Sequence, residues 1–189
     1  MIGCIQIIHY PNISQNMKLR FGEVMTPFGV AVIVMHDAAI VEWWFTSWEK
    51  AQEELKRRWR SARWYDDSQA IETLIDEIFC PERTIDLKLR LLGTAFQFVV
   101  WEALLAIAWG QTVSYAQVAE RLGKPTAVRA VASAIGKNPV SYLIPCHRVI
   151  HANGTLGQYR WGSELKAELL QAECSSPMHL YPFGQKKDN

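Results

Sequence analysis

Cysteine is scarce and widely scattered in this chain: Cys4, Cys80, Cys146 and Cys174 are the only four in 189 residues. No C-x-x-C pair occurs, which argues against a zinc ribbon or a disulfide-stapled secreted scaffold and favours a reducing, cytoplasmic setting. Long apolar runs are missing too. The stretch from Thr94 to Val113 is broken by Gln97, Glu102 and Gln111, and the apolar start ends at His9-Tyr10-Pro11 without a basic flank. Neither a bilayer span nor a signal-peptide core is therefore expected, and no membrane contact is predicted. Internal repeats and low-complexity segments are also lacking. The most informative gap is in acidic residues. Between Arg121 and Ser163 there is no Asp or Glu, while Arg121, Lys124, Arg129, Lys137, Arg148 and Arg160 all lie within that window. A formal net charge of +1 conceals this asymmetry, which suits a polyanionic partner.

With 49% hydrophobic and 21% charged residues the chain has the composition of a folded protein. Residues 30–35 and 40–45 are dense in β-branched and aromatic side chains on either side of His36-Asp37-Ala38, and predict a hairpin. Helical spacing follows from Trp48 to about Trp59 and again from Asp67 to Phe79, with Pro81 as the stop. After a strand-like segment over 85–89, Leu92-Gly93 opens a better punctuated second half. Thr94-x-x-Gln97 and Ser114-x-x-Gln117 are capping boxes, the first starting a helix that stops at Gly110, the second a short helix ending at Gly123. Pro125 starts a third helix running to about Lys137. Two short helices around a glycine outline a helix-turn-helix, a weak signal alone because glycine-linked helical hairpins are common. The third helix adds to it. Val128, Val131 and Ile135 share its core side, leaving Ala127, Arg129, Ala130, Ser133, Ala134 and Lys137 around the remainder. A small, basic, acid-free face lets a helix approach a nucleic-acid groove. The run Lys56-Arg57-Arg58-Trp59-Arg60-Ser61-Ala62-Arg63-Trp64 has the cations and aromatics of a second nucleic-acid patch but is better read as a solvated helix end, because Glu49, Glu53, Glu54, Asp66 and Asp67 flank it.

The segment Ile144-Pro145-Cys146-His147-Arg148-Val149-Ile150 interrupts an apolar stretch with a thiol, an imidazole and a guanidinium. Buried cysteines are usually inert, but His147, Arg148 and a basic surround favour the thiolate, which is the nucleophile. Adjacent residues of an extended segment face opposite ways, so Cys146 and His147 require a bend at Pro145 or a bridging water to cooperate.

That heptapeptide resembles the active-site signature of the O6-alkylguanine-DNA alkyltransferases, also called methylated-DNA-protein-cysteine methyltransferases. Thr112-Val113-Ser114-Tyr115, Val128-Arg129-Ala130-Val131-Ala132-Ser133-Ala134, Asn138-Pro139 and Gly157-Gln158-Tyr159-Arg160-Trp161-Gly162 occur in that family's order. The resemblance covers about residues 91–174 and is nearest to the C-terminal half of the bacterial adaptive-response protein; in the first half only Thr26-Pro27-Phe28-Gly29 matches. It implies an α+β fold: an N-terminal α/β support domain over 1–90 (antiparallel sheet plus helices), a mainly helical, winged helix-turn-helix-like domain over 91–174, and an irregular tail over 175–189.

The function so implied is direct, irreversible and stoichiometric repair. An alkyl or methyl group passes from O6 of guanine, and from O4 of thymine, in double-stranded DNA to Cys146, after the helix-turn-helix in the minor groove has flipped the base out. In this reading His147, held by Glu173, takes the thiol proton through a water and Asn138 braces the cysteine segment. Tyr115 meets the rotated phosphate and the departing guanine. Arg129 fills the gap in the base stack, with Ala130, Ser133 and Lys137 on the same DNA-facing surface. Ile135, Val149, Tyr159, Arg160 and Lys166 form the substrate pocket. Arg160 departs from members with a small hydroxyl residue there. The paired cysteines of a metal-activated phosphotriester-repair domain are missing, so that activity and its gene activation are not expected. No cofactor, no metal and no obligate protein partner are expected, and the protein should act as a monomer. Two other readings remain open: a non-catalytic DNA-binding winged helix, which Cys146 disfavours, and a cysteine hydrolase, which leaves the basic helix unexplained.

Overall fold

A computed structural model describes residues 2–10, 16–80 and 82–175. The expected tail over 175–189 lies, apart from Ser175, outside the described residues, as does Pro81. The first half forms β1 (Ile2–His9), β2 (Lys18–Thr26), β3 (Gly29–His36), β4 (Ala39–Trp44), α1 (Trp48–Arg58), β5 (Arg63–Asp66), α2 (Ser68–Phe79) and β6 (Ile85–Leu91). The second half forms α3 (Ala95–Leu105), β7 (Val113–Ser114), α4 (Tyr115–Arg121), α5 (Val128–Gly136), β8 (Val149–Ile150) and α6 (Ser163–Ser175).

The hairpin expected over residues 30–45 is present as β3 and β4, paired antiparallel. The sheet around it is mixed rather than antiparallel, in the order β1-β6-β4-β3-β2-β5. β1 and β4 flank β6 in parallel and β5 lies parallel to β2. Parallel pairing needs crossovers, and α1 and α2 provide them within the β4–β6 stretch of chain. Strand alternation sorts the apolar residues onto two faces. Val32, Val34, Val41 and Trp44 face α1, where they meet Ala51, Leu55 and Trp59. Ala31, Ile33, Met35 and Trp43 face the other way, and share one continuous core with Ile71, Ile75 and Ile78 of α2 and with Trp101, Val131 and Ile144 of the second half. Gly22 permits the close approach of α2, since a Cβ there would stand 2.8 Å from the Ser68 Cα.

One charge is buried in the α1-facing layer. Glu42 is fully buried and accepts from Trp44 Nε1 at 2.9 Å and Trp59 Nε1 at 2.9 Å, and pairs with Arg58 Nε at 2.9 Å. Burial pushes its carboxyl above the ordinary range, opposed by Arg58 and the two indole N–H groups. The basic run of α1 is therefore more than a solvated helix end, because Arg58 neutralises this carboxylate.

Both capping boxes are formed: Thr94 and Ser114 each accept from the backbone N–H of Gln97 and Gln117, whose side chains accept in return. Helix α3 ends at Leu105, earlier than the expected stop at Gly110, which instead adopts φ 70° in the following loop. Gly123, at φ 66°, closes α4. Residues Pro125–Ala127 form a 3-10 turn, so regular α-helix begins at Val128 rather than at the proline. Ala134, expected on the outer face, is buried, and its carbonyl accepts from Trp101 Nε1 at 2.9 Å. At about 100° per residue it lies beside Ile135 and one turn beyond Val131, inside the core stripe.

Candidate active site and nucleic-acid interface

The cysteine segment is fastened to the first half by backbone pairing. Trp43 N–H donates to the Pro139 carbonyl at 2.9 Å, and Ser141 N–H donates to the Trp43 carbonyl at 3.1 Å. Asn138 fixes the next few residues: its Oδ1 accepts from Val140 N–H at 3.0 Å, and its Nδ2 donates to the Ile144 carbonyl at 2.8 Å and to Cys146 Sγ at 3.1 Å. Pro145 then bends the chain, and Cys146–Arg148 form a 3-10 turn. At three residues per turn, neighbouring side chains diverge by roughly 120°. Cys146 consequently lines a cavity of about 670 Å³, while His147 and Arg148 point into the protein toward Glu173.

That cavity lies between α4, α5 and the loop before α6. Ile135, Tyr159 and Arg160, three of the five residues expected in the pocket, line it together with Tyr115 and Asn138. Ser141 and His151 also line it; neither carried a signal that sequence reasoning could use, because they enter the wall through the Trp43 pairing and a ring contact with Tyr115, centroids 5.6 Å apart. Gly157 is required here. Its φ is 70°, and a Cβ would meet His151 Nε2 at 2.9 Å.

Val149 and Lys166, expected in the pocket, are not among its lining residues. Both are buried behind it: Lys166 Nζ donates to the Val149 carbonyl at 2.7 Å and to the Leu156 carbonyl. Burial lowers the Lys166 ammonium to about 8, with Cys146 acting in the opposite direction.

The inner network is dense. Glu173, on α6, accepts from His147 Nε2 at 2.8 Å, from Arg148 Nη2 at 2.9 Å and from Gly110 N–H at 3.0 Å. Arg148 also donates to the Ile107 carbonyl at 2.6 Å and stacks over Trp109, 5.3 Å to the ring centroid. Burial lowers the imidazole pKa of His147, outweighing Glu173, so the ring is neutral. A neutral ring that donates from Nε2 carries its free lone pair on Nδ1, and Nδ1 is buried with no hydrogen-bond partner among the described residues. Burial would raise the Glu173 carboxyl, but His147 and Arg148 prevail and hold it below the ordinary range.

The thiol departs from expectation. Cys146 is only 8% exposed, and burial pushes its pKa up, against the lowering influence of Asn138 and Lys166. Arg148 does not provide the expected help, because its guanidinium is committed to Glu173. The resting group is thus a protonated thiol.

On the outer surface Arg129, Ala130, Ser133 and Lys137 are all exposed along α5, without an acidic neighbour in the Arg121–Ser163 window. The described residues contain no cluster of His, Cys, Asp or Glu suited to a metal ion, and no helix long and apolar enough to cross a membrane.

The combination defines a class: a small α+β protein with a buried thiol in a cavity beneath an exposed basic helix. Comparison with known proteins makes the class specific. The family described as 6-O-methylguanine DNA methyltransferase, DNA binding domain, matches residues 95–175. The methylated-DNA–protein-cysteine methyltransferase of Mycobacterium tuberculosis is 44% identical over 125 residues, which is 64% of this chain and 76% of that protein. The regulatory protein ada of Salmonella typhimurium is 50% identical over 106 residues, 56% of this chain, and the match spans only 30% of that longer protein. Among solved structures, Mycobacterium tuberculosis OGT in complex with DNA aligns with a TM-score of 0.66 at 33% identity, covering 88% of this chain and 96% of that one. The chain belongs to the O6-methylguanine-DNA methyltransferase family.

Proposed function

We propose that this protein repairs O6-alkylguanine, and O4-alkylthymine, in double-stranded DNA by moving the alkyl group irreversibly to Cys146. The observation that carries this reading is Cys146 Sγ at the wall of a cavity directly beneath the exposed face of α5, backed by His147 and Glu173. Residues 91–174 perform the reaction and residues 1–90 support them.

A duplex hides O6 of guanine inside the stack, so the base must leave it, at a cost of a few kcal/mol that protein contacts offset. Helix α5 lies in the minor groove, where Ala130 and Ser133 allow close approach, Lys137 meets phosphate and Arg129 occupies the vacated place in the stack. Tyr115 contacts the rotated phosphate. Within the cavity Ile135 and Tyr159 pack on the base. The thiol proton passes through a water to His147 Nδ1, and Glu173 stabilises the imidazolium through Nε2. Asn138 Nδ2, already 3.1 Å from Sγ, stabilises the thiolate as it forms. Sulfur attacks the alkyl carbon in line, the carbon–oxygen bond breaks, and the electron pair departs on guanine O6 while Tyr115 donates to the leaving base. Val149 and Lys166 hold the pocket wall from behind. The thioether product has no hydrolysable bond, so each monomer acts once, and no cofactor takes part.

The test is intact-protein mass spectrometry after mixing with a duplex carrying O6-methylguanine. One added methyl, mapped to the peptide containing Cys146 and lost in Cys146→Ala, is expected. An unmodified mass after prolonged incubation would overturn the reading.

A further inference from the structure

The Gly157–Gly162 segment, which supplies Tyr159 to the cavity wall, has no regular secondary structure and is bounded by glycines at φ 70° and 95°. Such a segment needs an external hold to keep Tyr159 in place. It receives one from the first half of the chain. The Arg160 guanidinium lies 4.0 Å from the Trp44 ring centroid and 4.9 Å from that of Trp161, and Nη2 donates to Glu54 Oε1 on α1 at 3.0 Å. Trp161 Nε1 donates to Ser141 Oγ, a cavity residue, at 2.6 Å. Trp44 is itself fixed, because its Nε1 is bonded to the buried carboxylate of Glu42. Arg160 is thus oriented by two rings and an acid outside the cavity it adjoins.

We infer that Arg160 is a positioning residue: gripped by Trp44 and Glu54 of the N-terminal half, it holds Tyr159 against the flipped base, making the N-terminal half part of the alkyl-transfer machinery rather than a passive support. This rests on the repair reading above. The bond from Nη2 to Glu54 and the stacking on Trp44 turn the Arg160 guanidinium toward the N-terminal half, which favours a positioning role over phosphate binding. The clamp's contribution is to the rate of alkyl transfer once the lesion is bound.

Single-turnover methyl transfer from duplex O6-methylguanine separates the two effects, with the limiting rate read at saturating protein and affinity read from binding to an unmodified duplex. A cation on an indole plus one exposed ion pair predicts a roughly three- to tenfold fall in limiting rate for Arg160→Ala. A smaller fall is expected for Glu54→Gln, and affinity should stay within about twofold for both. Arg160→Lys keeps the charge and should recover part of the rate. Trp44→Leu should lower the rate as Arg160→Ala does, and the double variant should lose no more than either alone, because both remove the same contact. A fall in affinity with an unchanged limiting rate would make Arg160 a DNA ligand and overturn the inference. Unchanged rates in both Arg160→Ala and Glu54→Gln would overturn it too. If wild-type protein takes no methyl at all, the repair reading itself has failed, a result distinct from either.

Discussion

Replacing Glu173 with Gln tests the inner network most severely. The carboxylate is 2% exposed and Arg148 is fully buried, with three bonds of 2.9–3.0 Å between them. Glutamine keeps the shape but leaves a guanidinium buried against a neutral amide, and its NH2 group puts a donor against Arg148 Nε while His147 or Gly110 loses its acceptor. Breaking one side of a buried ion pair costs about 3–5 kcal/mol. For a chain of this length each kcal/mol lowers the melting temperature by about 2–4 °C, so the expected drop is about 6–20 °C. Differential scanning calorimetry at pH 7 measures it. Arg148→Met removes the charge that needs neutralising, so the double variant Arg148→Met/Glu173→Gln should melt above the level expected from adding the two single losses. A drop of under about 3 °C in Glu173→Gln, or strict additivity in the double variant, would refute the description of Glu173 as the hub of a dry, charged cluster.

Alkyl transfer should be nearly independent of pH between about 6.5 and 9. His147 is lowered below its ordinary 6.5 and stays neutral there, while Cys146 is raised above its ordinary 9.0 and stays protonated; a tenfold rise per unit over that range would instead indicate attack by a free thiolate. Stability should fall as pH drops below 6.5, because the unfolded chain then protonates His147 while the folded one does not, and fall further below 4.5 as Glu173, lowered in the fold, loses its charge advantage; urea titrations across that range read the slope. Gly157→Ala forces a side chain into positive φ and against His151, and should slow methyl transfer about tenfold or more in single-turnover assays with little change in duplex affinity. Arg58→Gln leaves Glu42 buried without its cation and should cost about 3 kcal/mol in urea unfolding, whereas the exposed Arg57→Gln should cost less than about 0.5. Iodoacetamide should label the exposed Cys4 and Cys174 before the buried Cys146, with the order read by peptide mass spectrometry.

Local punctuation made the second half legible. Ser and Thr caps, the glycine closing α4 and the core stripe of α5 act within a few residues and can be placed from them, whereas Gly110 reads as the stop of α3, which ends five residues earlier at Leu105. Ala134 was misassigned because alanine is ambiguous between a packed and an open face, and only the Trp101 indole bound to its carbonyl decides the matter. The parallel strands β1 and β5 carried no local mark, since their partners β6 and β2 lie far along the chain. The site divided in the same way. Cys146, His147 and Asn138 stand in one short segment and were readable there. The neighbours that set the state of the thiol come from elsewhere. Arg148 looked like an activating cation because it is near in sequence, yet in the fold it serves Glu173, twenty-five residues on.

On the proposed repair reading, the raised thiol pKa and the His147–Glu173 pair fit together for a protein that would be consumed by its reaction. A permanently ionised thiol in a cavity open to solvent would react with any small electrophile and waste the molecule. Burial suppresses that by keeping Cys146 protonated, and Asn138 limits the penalty by placing a donor on sulfur beforehand. A proton acceptor is then needed only when the alkyl carbon is aligned and the guanine begins to depart. In that reading neutral His147 would supply it without a resting charge, and Glu173 would gain most from its imidazole partner at that moment, when the ring becomes cationic. The carboxylate can wait as an anion inside the protein because Arg148 balances it, which explains why a buried arginine follows directly on the histidine.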